Sequence, residues 1–104
     1  MIDGQSMKHF IIIIQYLETV EKIDEIRLRH REFLEKGYKE GIVLFSGPRV
    51  PRKGGLIAAR GETAEEVKKF FSEDPYQKEK AAEYHFIEFE PVHFQEFLKD
   101  WISK

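Results

Sequence analysis

A chain of 104 residues, 41% of them hydrophobic, can bury one core but not two, so a single domain over residues 1–104 is expected. Its 17 basic and 19 acidic residues leave a net charge of -2, a balance that excludes a general field for nucleic acid or an anionic membrane. The absence of cysteine excludes disulfides, thiolate nucleophiles and thiolate metal sites, and makes the cytoplasm the expected compartment.

Residues 1–7 have neither a basic flank nor a signal-type apolar core and are expected to form a flexible leader. Phe10-Ile11-Ile12-Ile13-Ile14 is apolar at every position, which predicts a strand buried on both faces. The run is far shorter than the roughly 20 residues that cross a bilayer. From Thr19 to Lys36 the period becomes helical, with Val20, Ile23, Ile26, His30, Phe33 and Leu34 inward and charges between them. Gly37 and Gly41 bracket the end of that helix and the following turn. Ile42 to Phe45 predicts a second strand, stopped at Ser46 by Gly47-Pro48.

Residues 48–55 hold two prolines, two glycines and three positive charges, the composition of a mobile basic loop. A third strand covers Leu56 to Arg60. Thr63 and Glu66 have the spacing of a capping box, so a second helix starts after Thr63, buries Val67, Phe70 and Phe71, and breaks near Asp74 before Pro75. A short helix from Tyr76 to Glu83 and a fourth strand from Tyr84 to Glu90 are expected next. Phe94, Phe97, Leu98, Trp101 and Ile102 then mark an apolar stripe on a C-terminal helix, residues 93–104, that docks on the body or across an interface.

The order strand, helix, strand, strand, helix, strand is the split βαβ pattern of α+β, ferredoxin-like folds with a four-stranded antiparallel sheet. Two main helices cover one face of such a sheet. A second face as apolar as the first predicts a symmetric homodimer with the two sheets packed together.

With these elements in order, residues 8–92 resemble the YciI-like (YCII-related) family of dimeric α/β-barrel proteins. The likeness lies in Arg27 three residues before His30, in Ser46-Gly47-Pro48 at the end of the second strand, in Gly54-Gly55 before the third, and in Asp74-Pro75-Tyr76 after the second helix. It implies a cofactor-independent enzyme that pairs a histidine with an aspartate in a pocket of each subunit; the matching positions are His30 and Asp74, with Ser46 as a polar neighbour. The more basic loop at Pro51-Arg52-Lys53 and the tail beyond Val92 depart from the family pattern.

Each residue also has a plain structural reading. His30 on the inward face of a helix is equally a hydrogen-bonded core residue. Asp74 before Pro75 is a good helix N-cap, a role compatible with orienting His30. Ser46 at a strand end can simply cap the turn, and no nucleophile elbow surrounds it. Arg27 can hold an anionic substrate group, or pair with Glu21, Asp24 or Glu35 at the surface. His9, His85 and His93 lack metal-ligand spacing, so no metal is expected. The residues thus predict acid/base chemistry of lyase or isomerase type on a small organic metabolite, one that can be anionic, the alternative being a non-catalytic dimeric ligand-binding or interaction module.

Overall fold

The computed structural model describes residues 7–103. The expected leader therefore lies, apart from Met7, outside the described residues, as does Lys104. Four strands, β1 (Lys8–Tyr16), β2 (Val43–Pro48), β3 (Gly54–Gly61) and β4 (Ala82–Phe89), form one antiparallel sheet in the order β2-β3-β1-β4. The helices are α1 (Val20–Lys39), α2 (Ala64–Phe71), the single turn α3 (Pro75–Lys78) and α4 (Lys99–Ser103), with a 3-10 turn at Glu96–Leu98 before the last. This is the α+β, ferredoxin-like βαββαβ arrangement. Among the described residues no helix is long and apolar enough to cross a membrane.

Central β1 places Ile12 opposite Ile57 of β3 and Phe86 of β4. Alternation sends Phe10, Ile12 and Ile14 under the helices, where they pack with Ile23, Ile26, Val67 and Phe71 in one buried core. Ile11 and Ile13 point the other way and are only half-buried. Strand β1 is thus buried on one face, not both. Its apolar outer face continues into Phe45, 53% exposed, and Ile87, 49% exposed.

Several element ends differ from the expected ones for identifiable reasons. Thr19 caps α1 by accepting a hydrogen bond from the Lys22 amide. The helix runs through Gly37 to Lys39, because this glycine gives space and not an ending: a Cβ there would lie 2.7 Å from the Val43 side chain. Strand β2 continues past Ser46, pairing Gly47 with Leu56 and Pro48 with Gly55. An edge strand tolerates the proline that would break a central one. The Thr63 hydroxyl accepts from the Glu66 amide and starts α2 as expected. Helix α3 stops at Lys78, Lys80 takes a positive φ of 57°, and β4 begins two residues earlier than Tyr84.

The basic loop is held rather than loose. The Tyr16 amide donates to the Lys53 carbonyl at 2.9 Å, and Arg52 donates to Asp24 at 2.6 Å. The C-terminal segment is helical only from Glu96, so its apolar residues do not form one stripe, and Phe97 is 81% exposed. Trp101 is half-buried, meets the buried His9 ring edge-on with centroids 5.3 Å apart, and gives its carbonyl to Arg60 at 2.7 Å. The tail docks on its own body there. Burial, and then the Arg60 guanidinium, pushes the His9 pKa below its ordinary value.

Candidate functional site

A cavity of about 330 Å³ opens between α1, the β2–β3 hairpin and α3. Helix α1 contributes Arg27, His30, Arg31 and Leu34, a stripe at i, i+3, i+4 and i+7 that helical geometry puts on one face. Ile14, Leu56 and Ile57 supply an apolar wall, and Tyr16 and Tyr76 an aromatic one. Gly54 starts β3 where a side chain would not fit, since a Cβ there would come within 1.7 Å of the Ile14 carbonyl oxygen, and a Cβ on Gly55 would lie 3.1 Å from the Gly47 carbonyl oxygen.

His30 is buried, and its Nδ1 lies 2.9 Å from both Asp74 oxygens. A carboxylate only accepts, so Nδ1 carries the proton and Nε2 is the nitrogen left to the cavity that His30 lines. The ring is stacked on Tyr76, with centroids 3.9 Å apart and planes within 15°. Stacking and the bond to Asp74 together restrain the imidazole in position and rotation.

Asp74 is 0% exposed and does not line the cavity. It caps α3, accepting from the Tyr76 amide at 3.1 Å, and its second oxygen accepts a short hydrogen bond from the Tyr84 hydroxyl. Cap and His30 partner are therefore one and the same carboxylate, with three donors on its two oxygens. Burial, with the Asp74 charge beside it, pushes the Tyr84 pKa well above the ordinary phenol value, so this hydroxyl stays a donor. Burial likewise raises Tyr76, with Tyr16 and Asp74 adding to the effect. An ion pair between Arg29 and Glu79 ties α1 to the chain just after α3.

Ser46 lines the same cavity, its hydroxyl 2.7 Å from that of Tyr38. Arg27 does two things at once, lining the cavity and pairing with Asp24 at 3.5 Å. All four residues singled out from the sequence thus meet at one place: His30, Ser46 and Arg27 on the cavity wall, Asp74 directly behind His30. Sequence reasoning missed Tyr84 and Arg31, and weighed Arg52 only as one charge of the basic loop, able to steer an acidic metabolite or merely solvated. Tyr84 carried a signal, its inward position in an alternating strand; Arg31 looked like an ordinary solvated charge.

The model of the YCII-related domain matches residues 7–90 of the chain. No curated protein matches it significantly. Among solved structures, the 5-chloro-2-hydroxyhydroquinone dehydrochlorinase TftG from Burkholderia phenoliruptrix AC1100, in complex with 2,5-dihydroxybenzoquinone, is similar with a TM-score of 0.64. That likeness covers 84% of this chain and 93% of the other at 16% identity, and is one of fold.

Proposed function

Because this chain belongs to the YCII-related domain family, we propose that it is a small-molecule-processing enzyme of lyase or isomerase type, with His30 as general acid and base. The observation that carries this reading is the His30 ring, fixed through Nδ1 by a buried carboxylate while the residue faces a cavity. In such a site Nε2 takes a proton from the substrate, and the imidazolium that forms is stabilised by Asp74 behind it. Asp74 is a positioning residue, since it touches His30 and not the cavity. Electrons from the broken bond to hydrogen move into the substrate's conjugated system. They either expel an anionic group from a neighbouring position or return to a different carbon, which His30 then protonates. Neither course requires an oxidant or a cofactor. Ser46 and Arg27 hold the substrate's polar groups.

TftG, named for removing hydrogen chloride from a hydroxylated aromatic, supports elimination chemistry on this fold and suggests the first probes. In D₂O, hydroxylated aromatics including 5-chloro-2-hydroxyhydroquinone should show solvent deuterium incorporation by NMR, or chloride release. His30→Ala should slow either by roughly 10²- to 10⁴-fold, the usual contribution of a positioned acid/base group. Ligands that bind both proteins equally, with no exchange or release in either, would instead make the domain a binding module.

The same reading includes a second copy on the outer sheet face, supported by the exposure of Phe45 and Ile87 among other apolar residues there. Light scattering should give twice the chain mass of 12.4 kDa, and Ile87→Lys should return it to one. A wild-type protein that stays monomeric at tens of micromolar would end the idea.

A further inference from the structure

The cavity's charged lining is one-sided. Arg27, Arg31 and Arg52 line it, and among the described residues no aspartate or glutamate does. Asp24 offsets two of the three, pairing with Arg27 at 3.5 Å and Arg52 at 2.6 Å from outside the lining. Arg31, next to His30 in the chain, forms no salt bridge among the described residues. Asp24 also places Arg52: the guanidinium is drawn against α1 and lies 5.9 Å from the Tyr16 ring centroid. The hairpin charge is thereby a fixed part of the wall.

We propose that this cavity selects a planar organic carboxylate, its conjugated body beside Tyr16 and Tyr76 and its carboxylate on Arg31, assisted by Arg27. The proposal rests on the enzyme reading above and adds to it the substrate class. Three features favour a carboxylate on a flat body. A guanidinium fork matches a carboxylate in two parallel hydrogen bonds. The remaining walls are aromatic and aliphatic and suit a ring or conjugated chain. At about 330 Å³ the space is at the small end for ligand pockets, which favours a compact molecule over a nucleotide. A carboxylate held there also gives the arginines a second use, because negative charge that spreads through the conjugated system on proton loss to His30 develops close to them.

The test uses binding alone, measured by calorimetry with 2,5-dihydroxybenzoate, its neutral amide and inorganic phosphate. The acid should bind roughly ten- to a hundredfold more tightly than the amide, as expected for hydrogen bonds to a charged group. Arg31→Gln should erase that preference, and Arg31→Lys should restore only part of it, since an ammonium lacks the fork. Arg31 is exposed, so thermal melting should report both variants as folded. Equal binding of acid and amide, an unchanged preference in Arg31→Gln, or phosphate binding as tightly as the acid would each overturn the proposal. Repeating the titration on His30→Ala keeps the two readings apart. A preference that persists there, with no turnover in wild type, leaves the carboxylate site standing and the enzyme reading fallen; turnover without the preference does the reverse.

Discussion

Asp74→Ala should lower stability by about 3–5 kcal/mol, because removing one member of a buried charged network leaves its partners unpaired. The His30 Nδ1, the Tyr84 hydroxyl and the Tyr76 amide all lose their acceptor at once, and α3 loses its cap. Urea unfolding measures the loss. Asp74→Asn is the informative companion, since it keeps the volume and one acceptor oxygen but removes the charge that answers an imidazolium. It should fold with a smaller deficit and still fail in turnover. Tyr84→Phe leaves the His30 bond in place and should cost about 1–2 kcal/mol. Should Asp74→Ala melt within a degree of wild type, the carboxylate would be neither the cap nor the support described above.

Gly54→Ala should be as damaging through a different cause. The added methyl would sit 1.7 Å from the Ile14 carbonyl oxygen, and a backbone atom in a central strand cannot swing away as a side chain can. Overpacking usually costs about 1–3 kcal/mol, and here relief requires prising β3 from β1 where Gly54 pairs with Gln15, so about 3 kcal/mol or more is expected. Gly47→Ala is the control on the facing strand, where a Cβ meets nothing within 4 Å; its stability should stay within about 0.5 kcal/mol of wild type. A Gly54→Ala protein as stable as the Gly47→Ala protein would show that the strands can separate freely at this end.

Periodicity was enough for the order of elements: the Ile23, Ile26, His30, Leu34 stripe states its packing directly, whereas Phe10 to Ile14 states a strand but not that only one of its faces lies under the helices. It said less where ends depend on distant partners. Gly37 looks like a stop until Val43 is seen against it, and Pro48 looks like a stop until its strand proves to be an edge. The paired His30 and Asp74 were legible only because motif resemblance joined two segments that composition cannot relate. Tyr84 stayed hidden because alternation fixes a side chain's face but not the atom its hydroxyl reaches. Arg31 stayed hidden because a charge on a helix reads as solvated until the hairpin is seen opposite.

The placing of β1 at the centre of the sheet also dictates when the chain can become safe. Both neighbours of this strand come from far along the sequence, β3 after the first helix and β4 only from Ala82 onward. During synthesis Phe10 to Ile14 therefore emerges before either of its neighbours and is fully paired only after Ala82 to Phe89 has followed. Pairings so distant in sequence close slowly. In the interval the apolar strand can pair with any copy of itself, and few residues of its own restrain it, chiefly the charged Lys8 at one end and the polar Gln15 at the other. The same central position that anchors the folded site makes the nascent chain dependent on its last strand for protection against aggregation.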